Sequence, residues 1–357
     1  MSYKEILFFV AKCLTVSYDA DNRTFIERKL VSNSINWDKV VQLSTAHYVL
    51  PALYCNLKRV NFTKYFPKDL IAYMKQLSQL NKQRNEQIVL QATRLNKLLL
   101  NRNIIPVFLK GTGNILEGLY SDISERMVGD IDILVNPAEA NKTFCILKEY
   151  GYYTEQSKKL FNIHRHLTRL VHDKYIAAVE IHKQLLRREK SIFFNYQSVK
   201  HNLLLKNGFS FLSDKDKIKH TIFAKMINDY AYYFKTINLR TAYDFYLQAN
   251  KIDYKVKFKS KKLYKELNAG INLYSHLLSK PNSMVLHQSI HADKHTQKCL
   301  SSLNNSMQNR IKKKLKKLFI QNKNRLIILL KAFVNRSYFL FVLNKFTDKQ
   351  WLRSKLP

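Results

Sequence analysis

Apolar residues recur at three- and four-residue spacing through most of the first hundred positions, the period of helices with one buried face. Pro67-Lys68-Asp69 can open a helix, and neither Gly nor Pro interrupts the run from Leu70-Ile71-Ala72-Tyr73-Met74 to Leu100. Ser34-Ile35-Asn36-Trp37-Asp38 offers a cap before Val40-Val41-Gln42-Leu43. The pattern then changes. Ile104 to Leu109 has the character of a buried strand and ends in Lys110-Gly111-Thr112-Gly113; a short helix over 113–120 and a loop should follow. A second strand is expected within Met127–Val135, and helix over 138–150. Leu167–Val171 and Tyr175–His182, separated by His172-Asp173-Lys174, carry a hairpin signal. Helical spacing returns from Asp214, through Asp216–Lys225 and Leu239–Phe245. No internal repeat is visible. The expected class is α+β: a helical N-terminal region (1–100), a core with a small mixed β-sheet (101–185), a helical region (186–270) and a basic helical C-terminal extension (271–357).

The strand Met127-Val128-Gly129-Asp130-Ile131-Asp132-Ile133-Leu134-Val135 carries the most chemistry. Residues two apart in a strand share a face, so Asp130 and Asp132 project together while Ile131 and Ile133 face the core. Adjacent carboxylates repel unless positive charge lies between them, and an oxygen-preferring divalent ion meets that need. Solvated acids on an edge strand are the plain alternative. Against it stand the preceding strand–Lys-Gly–helix unit and the later strand bearing Glu180, with Ala178 and His182 on its face. Three converging carboxylates can hold two Mg²⁺ ions across a reacting phosphate. Lys110 and Arg126 would bring positive charge to a triphosphate. Gly111 and Gly113 would offer backbone N–H groups at the start of a helix. Four of the seven glycines lie between positions 111 and 129, a concentration that suggests a place where backbone approaches a ligand closely. His164-Arg165-His166 and His182 are read first as hydrogen-bonded structural residues and second as part of a nucleotide site.

At these residues the chain resembles the DNA polymerase β-like nucleotidyltransferase superfamily, and more closely a bacterial uncharacterised nucleotidyltransferase family. The likeness rests on Leu109-Lys110-Gly111, on Arg126 with Asp130-Ile131-Asp132-Ile133-Leu134-Val135, and on Glu180-Ile181-His182. It extends upstream to Asn36–Val40 and Ala46–Tyr54, and downstream to Leu239-Arg240-Thr241-Ala242-Tyr243-Asp244, covering about residues 30–250. The resemblance implies Mg²⁺-dependent transfer of a nucleoside monophosphate from ATP or another NTP to an acceptor, with pyrophosphate leaving. It gives Asp130, Asp132 and Glu180 the metal and catalytic roles, with Glu180 also a candidate proton acceptor. Lys110, Gly111, Thr112 and Arg126 take the nucleotide phosphates. The acceptor is left open among a glycan intermediate, RNA and a protein side chain.

Charge adds a second theme. The formal net charge is +35, and residues 251–357 hold 24 Lys/Arg against 4 acids. Such a field favours a polyanionic partner: RNA, DNA, an anionic membrane face or a charged glycan. A non-catalytic protein of the same fold, binding RNA or a membrane through this tail, is the rival reading. Arg310–Phe319 is basic and amphipathic, while Leu326–Phe346 is apolar but broken by Lys331, Asn335 and Arg336, which argues against a spanning helix. A helix hairpin packed on the core, an interfacial helix on anionic lipid and RNA contact are the readings for this tail. His287, His291, His295 and Cys299 recur every four residues, a polar helix face or, with a second segment, a zinc site. Four scattered cysteines without CxxC spacing, and no leader-like start, suggest a cytoplasmic protein, with a peripheral place at the inner membrane face as an extension of that reading.

Overall fold

The computed structural model describes residues 1–32, 34–154, 163–252, 263–284, 289–303 and 307–347. Four helices open the chain: α1 (Tyr3–Cys13), α2 (Ala20–Val31), α3 (Trp37–Ala46) and α4 (Leu50–Arg59). Each of the first three is capped by a polar side chain, Ser2, Asp19 and Asn36 respectively. The uninterrupted pattern after Pro67 does form one helix, α5 (Lys68–Leu100). Strand β1 is only Val107–Phe108, shorter than the apolar run around it. It leads into α6 (Lys110–Leu116), which starts three residues before the expected helix. Strand β2 (Asp130–Leu134), helix α7 (Ala140–Glu149) and strand β3 (Ala178–His182) follow. Residues 166, 170 and 171 make only isolated bridges with β3 and Tyr153, so the expected hairpin partner is a loose edge and not a strand. The remaining elements are α8 (Tyr196–Val199), β4 (Leu204–Lys206), β5 (Phe209–Phe211), α9 (Asp214–Phe223), α10 (Ala231–Phe234), α11 (Leu239–Asn250), α12 (Tyr264–Leu277), α13 (Ile290–Ser301), α14 (Met307–Ala332) and α15 (Arg336–Thr347).

The five strands form one mixed sheet in the order β3-β2-β1-β5-β4. β2 runs antiparallel to β1 and parallel to β3, while β1 and β5 are parallel and β5 and β4 antiparallel. The β4–β5 hairpin turns on Asn207-Gly208, both at positive φ, as a tight two-residue turn demands. One face of the sheet is dry: Ile131, Ile133, Val179 and Ile181 pack with Ile88, Ala92, Leu95 and Leu99 of α5 and with Phe144 and Leu147 of α7. The other side meets a larger core built from α1–α4, α9, α11 and α12, which takes in Val107, Leu109 and Leu134.

Two close approaches fix the strand that carries the site. A Cβ on Gly113 would stand 2.6 Å from the carbonyl oxygen of Phe108, so only glycine lets α6 fold back onto β1. Buried Asn85 of α5 donates to the backbone oxygens of Ile123 (2.7 Å) and Arg126 (2.8 Å), and Asn81 to that of Ser124 (2.6 Å), pinning the loop that feeds β2. No helix among the described residues is long and apolar enough to cross a membrane.

Candidate functional site

Alternation puts Asp130 and Asp132 on one face of β2, and Glu180 and His182 on one face of β3. The parallel register then sets Asp132 directly beside Glu180, and Asp130 beside Ala178. Neighbouring strands lie about 4.8 Å apart, so side chains so paired are near neighbours. Donor atoms of Asp132, Glu180 and His182 all fall within 4.8 Å of one another, and among the described residues no other group of three or more His, Cys, Asp or Glu comes together in this way.

Asp132 is the hub. Its Oδ1 accepts from Lys110 Nζ at 2.5 Å and from His182 Nε2 at 2.7 Å. His182 Nε2 also lies 3.5 Å from Glu180 Oε2. Burial alone would push the Asp132 carboxyl up, but the Lys110 ammonium and the His182 hydrogen bond outweigh it and hold the group far below the usual carboxylate range. Glu180 is lowered too, the hydrogen bond from His182 prevailing over burial. Asp130 goes the other way: burial, with Glu180 and Asp132 nearby, raises it despite Arg169. Arg169 Nη2 sits 2.6 Å from Asp130 Oδ1 as an ion pair, yet that oxygen accepts no hydrogen bond.

Lys110 reaches Asp132 from a left-handed backbone, φ +51°, at the first position of α6. A non-glycine residue pays for that conformation with roughly 1 kcal/mol of strain, a pattern that collects at functional positions. Thr112 is fully buried and its hydroxyl donates to the backbone oxygen of Asp130 at 2.8 Å, tying α6 to β2. The Gly113 N–H bonds to Leu109 O within the helix turn, while Gly111 faces Val128 and the Arg126 guanidinium.

Arg126 stands apart from the carboxylate face. Its guanidinium is buried and grips Asp244 of α11, with Nε 2.9 Å from Oδ1 and Nη2 2.8 Å from Oδ2, and Nη1 donates to Met127 O. Tyr120 adds a hydroxyl donor to Asp244 at 2.7 Å. These contacts engage three of the five guanidinium N–H groups and brace the loop that leads into β2.

Two groups escaped the sequence reading. Alternation along β3 puts His182 on the face of Glu180 but does not show it as the donor joining Asp132 and Glu180; its position two residues after Glu180 is the available signal. Asp244 lay in a recognised segment without a role, and no local spacing links it to Arg126. Arg165 Nη1 approaches His182 Nδ1 at 3.4 Å and the His166 ring lies 5.2 Å from that of His182. If Arg165 donates there, His182 carries its proton on Nε2, the tautomer that donates to the carboxylates. Beyond them a cavity of about 190 Å³ is lined by His164, Arg165, His166 and Arg187 on one side and Ile328 and Tyr338 on the other, with no acidic residue in its wall.

In the helical stripe, His291 and His295 stack on Tyr232, and Cys299 Sγ contacts His295 Nδ1 at 3.6 Å. His287 lies outside the described residues.

On adjacent strands two carboxylates and an imidazole converge beside a lysine at a strand–helix junction, a group that could hold a metal ion. The chain belongs to the uncharacterised nucleotidyltransferase family, whose model matches residues 33–269. No curated protein and no solved structure matches it.

Proposed function

We propose that the protein moves a nucleoside monophosphate from an NTP to an acceptor hydroxyl and releases pyrophosphate. The observation that carries this is the convergence of Asp132, Glu180 and His182 within 4.8 Å, with Lys110 bound to the same carboxylate. The donor set suits a divalent cation: Asp132 and Glu180 supply hard oxygens, and Asp130 holds a third carboxylate on the same face. Mg²⁺ fits the carboxylates, while recruitment of His182 as a ligand would favour a softer ion such as Mn²⁺. When bound, such an ion neutralises charge on the reacting phosphate and stabilises attacking and leaving oxygens.

The residues of the chain do the rest. Lys110, bonded to Asp132, offers its ammonium to phosphate oxygens, and the amides of Gly111 and Thr112, in the first turn of α6 and so without intrahelical acceptors, are the candidate backbone donors beside it. The acceptor oxygen attacks the α-phosphorus in line, the bond to the β-phosphate oxygen breaks, and pyrophosphate leaves with the electron pair. Glu180, ionised and acceptor-only, takes the acceptor proton. Arg126 holds the β2 loop through Asp244. ATP is one candidate donor, and a glycan intermediate, RNA or a protein side chain remains the candidate acceptor. The three buried free thiols fit a reducing compartment, in keeping with a cytoplasmic place.

The test is transfer of label from α-³²P NTPs, with Mg²⁺ or Mn²⁺, to material in a cell extract. Wild type should label one acceptor class, and Asp132→Asn should lower the rate at least about a hundredfold with the fold intact, the scale on which a preorganised charge matters. Full transfer by Asp132→Asn, or none by wild type with any of the four NTPs, would remove the reading.

A further inference from the structure

The C-terminal hairpin α14–α15 lies beyond the segment matched by the family, and its two sides differ sharply. At 100° per residue, Ile311, Leu315, Leu318, Leu326 and Leu329 fall within about 80° of one another on α14, flanked by Phe319 and Leu330, with Phe333 just past the end of the helix. All of them are exposed. The opposite side of the same helix is where the protein holds it. Ile320 is buried, Asn324 hydrogen-bonds the Tyr230 hydroxyl, Lys316 lies over the Tyr233 ring, and Lys331 approaches Glu189 at 3.9 Å. α15 repeats the arrangement with exposed Phe339, Leu343 and Phe346 on one stripe. At the bend between the helices Phe333 and Val334 are 87% and 86% exposed.

Apolar surface of this extent is costly to leave in water and marks a contact face. Its surroundings select the contact. Residues 307–347 contain eleven Lys/Arg and no Asp or Glu. A second copy laid along the stripe would bring Lys312, Lys314, Lys323 and Arg325 against their own counterparts, a like-charge array that opposes pairing. A nucleic acid would neutralise the lysines but has no use for a bare Phe333-Val334 tip. One surface satisfies both halves, apolar below and anionic above.

We infer that the α14–α15 hairpin lies in the interface of an anionic phospholipid bilayer, with Phe333 and Val334 inserted among the acyl chains and the basic residues at headgroup level. α14, 26 residues long, then runs parallel to the surface. This inference does not depend on the chemistry proposed for the carboxylates.

Co-sedimentation of the full chain with vesicles tests it. Wild type should pellet with 7:3 phosphatidylcholine/phosphatidylglycerol vesicles and stay in solution with pure phosphatidylcholine. Phe333→Glu/Val334→Glu should weaken vesicle binding by at least about tenfold, as two buried apolar side chains require. Because both residues point to solvent, an unchanged melting curve should accompany the loss. Binding should also fall as salt rises from 0.1 to 0.5 M, since headgroup attraction is screened. Asp132→Asn should pellet like wild type, which separates this result from the catalytic one. Three outcomes overturn the inference: no pelleting with anionic vesicles, pelleting that the double variant does not weaken, or a solution dimer that the double variant dissolves. Retention of poly(U) RNA in place of vesicles, unaffected by the double variant, would assign the tail to nucleic acid instead.

Discussion

Three carboxylates share one face of the sheet, yet they sit in opposite electrostatic circumstances. Asp132 is held low by Lys110 and His182, so its ionised form stabilises the fold. That contribution is present above its ordinary value near 3.8 and is lost only as pH falls through the much lower folded value. Asp130 is raised by burial and by its acidic neighbours, so its ionised form costs stability, a cost that vanishes as pH falls and the group protonates. Opposite responses to amidation follow. At pH 7 Asp132→Asn should melt below wild type, with the gap closing only in strong acid. Asp130→Asn should melt at or slightly above wild type at pH 7 and lose that advantage towards pH 4. Melting temperatures measured by differential scanning fluorimetry from pH 3 to 8 decide it; a matching fall for both variants would refute the contrast. The pair Asp130/Asp132 and the strand position of Glu180 were legible because a period of two fixes facing. The bond from His182 to Asp132 was not, since it depends on the register between β2 and β3, which spacing within either strand leaves undetermined.

Among elements, the least expected connection joins α11 to the loop before β2. Arg126 and Asp244 are 118 positions apart and both nearly buried, at 9% and 7% side-chain exposure. Breaking such a pair leaves one charge without a partner inside the protein and costs about 3–5 kcal/mol. Asp244→Ala should therefore lower stability to denaturant by that order. Arg126→Lys should rescue little, because an ammonium cannot reproduce the two-pronged contact. If Arg126→Lys unfolds at the wild-type urea midpoint and transfers label at the wild-type rate, the bracing role fails. Helices were the legible elements: α5 spans the whole uninterrupted run after Pro67 because nothing in it breaks a helix. The β4–β5 hairpin was legible in principle, since Asn207-Gly208 is a strong turn signal, but its strands are three residues each and too short to show a period. That pair completes the sheet from a stretch that reads as helical by its surroundings.

Over the whole molecule, charge is segregated from chemistry. The excess of basic residues concentrates after position 250, while the acids of the candidate site cluster on two adjacent strands, β2 and the edge strand β3. The extreme composition was visible from the outset, and so was the amphipathic run at Arg310–Phe319. Which flank of that helix the protein itself would claim was not, because both carry apolar residues and only contacts with Tyr230, Tyr233 and Glu189 distinguish them. The hairpin also walls the cavity beside His164 and His166 through Ile328 and Tyr338.

The ammonium of Lys110 has one further effect. It acts as a tethered counter-ion, built into the chain and reaching the Asp132 carboxylate at 2.5 Å. The charge of Asp132 is thus balanced by a residue of the chain itself. A preparation stripped with EDTA should melt within about a degree of an untreated one, unlike proteins whose fold is assembled around an ion; a drop of many degrees would show the lysine to be no substitute.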